Sequence, residues 1–289
     1  MMVFLPWSRP CPPCATSWAG IRQTGRKGRH GFLAASLGLI AWGLLPLGFE
    51  LPASLESDPG PSPRILDRRG VVLDNVPRAD FFRHQPVSLK EIPSALLDAS
   101  LVAEDKRFFT HDGMDYLATA RAMRDLLHNR RIISGASTIT QQLVKISSAP
   151  AERNILTKIR ESLIARHLEY RWSKQEILTA YFNRLDYGNH RQGCREAARF
   201  YFGKPLGDLS LAECALLAGL PQSPSLHNPV QNADSALQRR NWILDRLAEE
   251  RDYDPRQIEI ARREPLTLRR TPHEKLAPHV ASSLRGRHQ

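Results

Sequence analysis

The chain has 289 residues, of which 42% are hydrophobic and 25% charged, so it is long and apolar enough to bury a core and is not disordered throughout. Four cysteines exclude a disulfide scaffold, and the 17 glycines and 21 prolines follow no fixed period, which excludes collagen-like and repeat proteins. The net charge of +11 is concentrated in residues 1–30 and 251–289, and the nearly balanced middle argues against a nucleic-acid-binding domain.

The first predicted element is a membrane-spanning helix. Residues 31–49 contain no charged side chain, and a helix of this length spans roughly 28 Å, close to the hydrocarbon thickness of a bilayer. Basic residues precede it and Glu50 follows, so the positive-inside rule predicts a cytoplasmic tail over 1–30, with the rest of the chain on the far side. A cleaved signal peptide is the alternative, but no A-x-A site follows the apolar stretch. Cys11 and Cys14 in the tail lack the two further ligands of a zinc site.

A spacer and a mainly helical domain are predicted to follow. Residues 50–63 are rich in Pro and Ser, which is typical of a domain boundary. Residues 65–75 predict a short hairpin that turns at Arg69 and Gly70. From Ile92 to about Glu249 the apolar residues recur at helical spacing almost throughout, so the predicted fold class is mainly α. Two stretches fit the capping box at a helix start, Ser173–Glu176 and Ser210–Glu213.

Two carboxylates at the edges of apolar helix faces are candidates for chemistry. Glu104 follows Leu101 at helical spacing, so partial desolvation should raise its pKa towards that of a useful general base. Glu161 lies near Leu168 on a later helix, with Lys158 one turn before it. The ordinary alternatives are a surface glutamate at a helix end and a solvated ion pair. Two carboxylates suit glycosidic chemistry, although the sequence does not give their separation.

The surroundings of these carboxylates are predicted to be polar on one side and buried on the other. Residues 135–145 combine small and hydroxylated side chains with two glutamines, which suits a hydrogen-bonding lining and a helix cap. Lys145, Arg153 and Lys158 together would suit a pyrophosphate, because cations neutralise a leaving phosphate. The helix with Glu161 is predicted to bury an apolar side formed by Ile155, Leu156, Ile159, Leu163, Ile164 and Leu168.

Five segments, in this order, resemble the motifs of the peptidoglycan glycosyltransferases, glycosyltransferase family 51. They are EDKRFFTHDG from Glu104, GASTITQQLVK from Gly135, KIRE from Lys158, KQEILTAYFN from Lys174 and GCREAARFYFGK from Gly193. The departures are Thr157 in place of the usual Arg, Phe182 in place of Leu, and Cys194 with Arg195. The resemblance covers about residues 64–250 and implies a lysozyme-like glycosyltransferase domain behind a single N-terminal transmembrane helix.

The resemblance also implies an activity and a site. The activity would be polymerisation of lipid II into glycan strands, with inversion at the anomeric carbon and release of undecaprenyl pyrophosphate. Glu104 would deprotonate the acceptor 4-hydroxyl, and Glu161 would assist the departing pyrophosphate through a divalent cation, Mg²⁺ or Mn²⁺. The implied substrate-binding residues are Asp105, Ser137, Thr138, Gln142, Lys145, Arg153, Lys158 and Asn183. Thr157 removes a guanidinium from the pyrophosphate site.

The predicted organisation is a tail (1–30), a transmembrane helix (31–49), a spacer (50–63), the glycosyltransferase domain (64–250) and a basic tail (251–289). The resemblance implies a bacterial inner-membrane protein with its domain on the extracytoplasmic side. Its partners would be lipid II, the nascent strand, the membrane and other cell-wall synthesis proteins, with no nucleic acid. No S-x-x-K or K-T-G occurs, so we expect no transpeptidase activity and no labelling by penicillin.

Three questions stay open at the level of sequence. A muramidase or lytic transglycosylase shares the lysozyme-like fold and the use of a glutamate, and a non-catalytic scaffold that binds lipid II is supported only by Thr157. The segment from Tyr116 to Ile133 mixes apolar residues with arginines, which suits either an anionic membrane interface or an ordinary core helix. Spacing does not decide whether Cys194 and Cys214 pair.

Overall fold

The computed structural model describes residues 36–38, 40–70, 72–129 and 137–268. The chain divides into two units, residues 1–48 and 49–289. In the first unit, residues 36–38 and 40–44 are helical and a 3-10 turn follows over Leu45–Gly48. Within the described ranges, no helix has the length and apolar character needed to cross a membrane. Part of the predicted spanning helix, both cysteines of the first tail and the end of the second tail lie outside those ranges.

The second unit is mainly helical, as the sequence predicts. Its helices, in chain order within the described residues, are α1 (Ser94–Glu104), α2 (Tyr116–Asn129), α3 (Ile139–Ser147), α4 (Ile155–Arg171), α5 (Lys174–Arg184), α6 (Cys194–Phe202), α7 (Leu211–Gly219), α8 (Ala233–Glu250) and α9 (Pro255–Arg263). Helix α1 packs on α7 and α8, and α3 packs on α4 and α5. These two packed groups carry the candidate carboxylates, Glu104 at the end of α1 and Glu161 within α4.

Two short sheets flank the helices. Strands β1 (Arg64–Leu66) and β2 (Val72–Asn75) pair antiparallel and form the predicted hairpin, with Gly70 at a φ of +80° in the turn. Strands β3 (Arg83–His84) and β4 (Arg191–Gln192) pair in parallel, which the sequence analysis missed. Strands of two residues are too short to show an alternating pattern.

Capping boxes fix where the site-bearing helices begin. Both predicted boxes are present: Ser173 caps α5 through Glu176, and Ser210 caps α7 through Glu213. A third box starts α3, where the Thr138 hydroxyl accepts from the backbone N–H of Gln141. Each box satisfies two N–H groups that lack an intrahelical partner, so each fixes the register of its helix.

The core is centred on α7, which is buried along nearly its whole length. Cys194 and Cys214 are both buried and free, so the open question about their pairing is answered in the negative for this structure. Burial raises the pKa of each thiol to about 12. They therefore remain protonated at neutral pH and pack as small apolar side chains.

The predicted buried side of α4 is wrong for half of its residues. Leu163, Ile164 and Leu168 are buried as expected, but Ile155, Leu156 and Ile159 are 75%, 72% and 53% exposed. Helical spacing identifies an apolar face but does not show how far along the helix another element covers it. Here the core covers only the second half of α4.

Helix α2 is similarly uncovered. Leu117, Met123 and Leu127 are each more than half exposed, whereas Ala122 is buried. An ordinary core helix would bury its large apolar residues in preference to its alanine. The structure therefore excludes the core-helix interpretation for these residues. Large apolar side chains are exposed both on α2 and on the first half of α4.

The segment predicted as a spacer packs onto the second unit. Residues Ala53–Leu55 form a 3-10 turn, and Leu55 lies in the core. Ser62 is also buried, and its hydroxyl accepts from the backbone N–H of His84. Arg184 donates to the backbone carbonyls of Ser54 and Ser57. The Pro- and Ser-rich composition thus marks a docked, irregular segment.

Candidate active site

A groove with a volume of about 1130 Å³ lies between the end of α3, the loop that follows it, the first half of α4 and residues 50–53. Five of the ten predicted site residues line it: Ser137, Lys145, Arg153, Lys158 and Glu161. The loop between α3 and α4 supplies Arg153, and the first turns of α4 supply Lys158 and Glu161. The structure therefore brings together the predicted cations and one of the two carboxylates.

The groove is suited to an anion. Lys145, Arg153 and Lys158 are exposed and make no salt bridge among the described residues, so their charges are available to a ligand. Arg160 also lines the groove, one turn after Thr157, and supplies a cation that the sequence analysis did not assign. Helix α4 begins at this groove with Asn154 as its cap, and a helix N-terminus favours negative charge.

Glu104 forms a second cluster, which does not line this groove. Its Oε2 accepts a hydrogen bond of 2.8 Å from Nε2 of Gln142, whose Oε1 accepts from the Tyr181 hydroxyl at 3.1 Å. Its Oε1 has no hydrogen bond among the described residues and lies 3.7 Å from Nη2 of Arg239. The Glu104 side chain is only 11% exposed. One carboxylate oxygen is thus held by the protein, and the other is buried without a hydrogen bond among the described residues.

The surroundings of Glu104 act on its pKa in opposite directions. Burial is the largest effect and raises the pKa of Glu104, because it disfavours the charged form. The hydrogen bond from Gln142 and the positive charge of Arg239 both lower it. The net result is a pKa above that of an ordinary glutamate, as the position on the apolar face of α1 predicts.

Helix α3 connects the two clusters. Gln142, which holds Glu104, and Lys145, which lines the groove, are three residues apart and are therefore neighbours on one helix face, roughly 5–6 Å between Cβ atoms. The carboxylate's partner and the groove's lysine are therefore carried by one element. The sequence predicts both residues but not that one helix joins the carboxylate to the cation.

Besides Gln142, three predicted binding residues have partners inside the protein. Asp105 is buried against Nε2 of His111 at 2.9 Å and accepts from the backbone N–H of Ile139 at 3.0 Å. The Thr138 hydroxyl donates to the carbonyl of Gly113 at 2.8 Å. None of these side chains lines the groove. Asp105 and Thr138 instead join the residues after α1 to the start of α3.

Asn183 is the third of these residues and lies in α5. It is buried, and its amide makes two hydrogen bonds to the backbone of Val87, accepting from the N–H at 2.9 Å and donating to the carbonyl at 2.8 Å. Both polar atoms of the side chain are therefore satisfied by the protein. Asn183 holds the segment before α1 against α5.

A buried network ties the motif-bearing helices together. Nζ of Lys174 donates to Glu169 at 2.7 Å and to the carbonyl of His111 at 2.8 Å, and it lies over the Phe108 ring. The Thr140 hydroxyl donates to the same Glu169 at 2.6 Å. This network joins α3, α4 and α5 to the residues that follow Glu104, so it fixes the carboxylate relative to the groove.

The sequence analysis missed Arg239. The surrounding residues of α8 form an amphipathic pattern in which an arginine is expected on the solvent side. In the structure the guanidinium stacks 4.3 Å over the Trp242 ring. A Cβ at Gly219 would lie 2.8 Å from Cγ of Arg239, so the glycine makes room for this side chain. Its position depends on packing between α7 and α8, which the sequence does not show.

The donor set for a metal ion is small. Among the described residues, no group of three or more His, Cys, Asp or Glu side chains could hold a metal. Glu161 shares the groove with Glu50 and Glu152, but among the described residues these carboxylates do not form a group that would enclose an ion. Mg²⁺ is, however, commonly bound by one or two carboxylates together with substrate phosphates. The residues present fit an ion only in that shared form.

Comparison with known proteins gives consistent matches. A sequence model of the family described as Transglycosylase matches residues 70–248. Penicillin-binding protein 1A of Pseudomonas aeruginosa is 40% identical over 207 residues, which cover 71% of this chain and 25% of that protein. A putative transglycosylase of Cupriavidus necator is 41% identical over 190 residues, covering 65% of this chain and 82% of that protein.

A solved structure is also similar to the chain. The crystal structure of penicillin-binding protein 1A from Haemophilus influenzae aligns with a TM-score of 0.46 and 23% identity, over 80% of this chain and 25% of that one. The chain spans about a quarter of the length of the penicillin-binding proteins from Pseudomonas aeruginosa and Haemophilus influenzae that it matches.

Proposed function

The chain belongs to the transglycosylase family, and we propose that it is a peptidoglycan glycosyltransferase that polymerises lipid II into glycan strands. The observation that carries the proposal is the single face of α3, which connects a buried carboxylate to a groove lined by cations without salt bridges among the described residues. A base and an anion site that are carried by one helix suit a reaction in which a hydroxyl attacks and a diphosphate leaves. Hydrolysis by water would not require the cations.

The proposed reaction uses the two clusters for different tasks. The carboxylate of Glu104 takes the proton from the 4-hydroxyl of the acceptor sugar, and the hydroxyl oxygen forms a bond to the anomeric carbon of the donor. The bond between that carbon and the diphosphate oxygen breaks, and the diphosphate leaves with the electron pair. Lys145, Arg153 and Lys158 neutralise the charge that develops on it. Attack opposite the leaving group inverts the anomeric centre.

The experiment that tests the function supplies purified protein with lipid II and separates the products by size. We expect glycan polymer and released undecaprenyl pyrophosphate. Cleavage of pre-made glycan without polymer formation would favour a muramidase or lytic transglycosylase. Binding of lipid II without turnover would favour a scaffold.

The raised pKa of Glu104 predicts the acid limb of the pH–rate profile. The base must be deprotonated, so the rate falls as the pH drops through its pKa, and burial places that fall above the range of an ordinary glutamate. Arg239→Met removes a charge that lowers this pKa, so the limb should move to higher pH. Arg246→Met is the matched control, because Arg246 contacts the same Trp242 ring on α8. An acid limb that stays in place in Arg239→Met would contradict the charge coupling.

We also propose that a divalent cation, Mg²⁺ or Mn²⁺, is held jointly by Glu161 and the donor phosphates. Such an ion would neutralise part of the charge on the leaving diphosphate. Chelation by EDTA should lower the polymerisation rate by about tenfold, and added Mg²⁺ or Mn²⁺ should restore it. Glu161→Gln should be slow from the start and insensitive to EDTA. An EDTA response that persists in this variant would place the ion elsewhere.

The proposal extends to a membrane location. A lipid-linked donor is confined to the bilayer, and an anchored enzyme meets it at high local concentration. The exposed apolar residues Leu156 and Ile159 lie on the helix that carries Lys158, a mixture that suits an anionic interface. We propose the N-terminal transmembrane helix, the inner-membrane location with an extracytoplasmic domain, and association with other cell-wall synthesis proteins on the same ground. Protease digestion of intact spheroplasts tests the orientation, because a cytoplasmic domain would be protected.

A further inference from the structure

The wall of the groove includes a segment that the sequence analysis treated as a spacer. We name residues 49–58 the strap. Four consecutive strap residues, Glu50–Ala53, line the groove together with the loop after α3 and the first turns of α4. The strap precedes every motif by which the chain resembles its family. The groove is therefore completed by residues outside those motifs.

The strap is tied to three of the helices that carry the two site clusters, α3, α4 and α5. The carbonyl of Phe49 lies 2.7 Å from Nδ1 of His167 in α4, and the Ser54 hydroxyl donates to the carbonyl of Ser147, at the end of α3, at 2.5 Å. Arg184, the last residue of α5, donates to two strap carbonyls and to Asp58. The side chain of Leu55 is buried in the core. Residues 50–53 thus lie between fixed points on either side.

Arg184 is the anchor with the most bonds to the strap. Its side chain is 5% exposed, and its Nη2 donates to the carbonyls of Ser54 at 3.1 Å and Ser57 at 2.8 Å. The Asp58 side chain is 71% exposed, so the ion pair itself contributes little. The two charge-assisted bonds to the backbone are worth more, because a buried guanidinium without them would be left unsatisfied. Arg184 therefore holds the strap in one position.

The strap adds apolar residues to a groove that also carries basic ones. Leu51, Pro52 and Ala53 have apolar side chains, and Glu50 is the acidic residue of the strap in this lining. Lys145 and Lys158 line the same groove. A ligand that matches both kinds of residue has a charged diphosphate joined to a hydrocarbon chain. Free diphosphate or a sugar alone would match only one kind.

We propose that residues 50–53 contact the donor next to its diphosphate, so that the strap contributes to donor recognition and Arg184 acts as a positioning residue. This inference rests on the proposed function for the identity of the donor. It predicts that a negative charge added to the wall weakens donor binding, while the chemistry at Glu104 proceeds as before. The effect should therefore appear in KM rather than in kcat.

Ala53 is the position for the test, because it is exposed and its substitution leaves the core intact. Ala53→Glu should raise KM for lipid II about fivefold at low salt and less at high salt, with kcat changed less than twofold. Ala53→Gln has the same size without the charge, so the ratio of the KM values of the two variants measures the effect of the charge alone. Gln257→Glu, an exposed position on α9 outside the groove, controls for net charge. Equal KM values for Ala53→Glu and Ala53→Gln would overturn the proposal.

Two further measurements keep the inference separate from the proposed function. Arg184→Gln should raise KM in the same way and increase hydrogen exchange at the backbone N–H groups of Leu55 and Glu56, which close the strap turn. A photoreactive benzoylphenylalanine at position 51 should cross-link to lipid II, and one at position 257 should not. Cross-linking without polymer formation would support the strap contact and refute the polymerase activity. Polymer formation without cross-linking at position 51 would overturn the strap contact alone.

Discussion

Glu104→Gln is expected to lower kcat for lipid II polymerisation by about 10³-fold, which is within the range that a general base contributes. The glutamine has the same shape and its amide oxygen accepts from Gln142 as the carboxylate does, so the local geometry should be kept. What is lost is the carboxylate charge, and with it the group proposed to take the acceptor proton. Steady-state polymerisation rates measure the effect, and binding of lipid II should be unchanged.

The same variant should be more stable than the starting protein. Burial raises the pKa of Glu104 in the folded state above its value in the unfolded chain, so the charged form is disfavoured by folding. Glu104 therefore does not change the free energy of unfolding below its unfolded pKa. As the pH rises from there through the folded pKa, the free energy of unfolding decreases. Above the folded pKa the full loss is present, and the neutral glutamine removes it. A higher Tm together with lost activity is the result that a purely structural role for Glu104 would not produce.

Glu249→Gln serves as the control for this prediction. Glu249 is exposed on α8, and its ion pair with Arg246 is solvated, so neither the rate nor Tm should change measurably. If Glu104→Gln retained a rate within tenfold of the starting protein, another group would have to accept the proton. The assignment of the base would then be wrong, although membership of the family would stand.

Local patterns predicted the parts of the fold that depend on neighbouring residues. The capping boxes at Ser173 and Ser210 and the turn at Gly70 each arise from residues within a few positions of one another, and all are present. The raised pKa of Glu104 also followed from its place on the apolar face of α1. The caps and the turn need no knowledge of the tertiary fold, because the groups that make them are adjacent in the chain, whereas the pKa shift depends on burial by distant elements.

What the sequence could not predict depends on elements distant in the chain. Whether Ile155 is covered depends on which helix lies over α4, and whether Arg239 reaches Glu104 depends on how α8 packs on α7 and α1. The resemblance placed Asp105 among the substrate-binding residues. The structure gives it an internal partner in His111, and its part in substrate binding stays a prediction. Polarity marks a residue as important but does not say whether its partner is a ligand or the protein.

The second large effect on the polymerisation rate is expected at Lys145, which lines the groove. Lys145→Met should lower kcat for polymerisation by about 10²-fold, because removing one preorganised charge from a developing anion costs about that much in other enzymes. The methionine keeps the apolar length of the side chain. Lys145→Arg retains the charge and should stay within tenfold, and Lys90→Met, at an exposed site outside the groove, should have no effect.

The position of Lys145 requires one further comparison. It lies in the last turn of α3, where a positive charge also stabilises the helix, by about 0.3–1 kcal/mol in exposed positions. A loss of stability of that size lowers Tm slightly and leaves the protein folded. It would therefore not account for a 10²-fold loss of rate. Urea unfolding of Lys145→Met measures this contribution separately. If the free energy of unfolding falls by no more than that contribution while the rate falls by about 10²-fold, the charge acts on the diphosphate. If the rate is unchanged, the groove does not hold the leaving group.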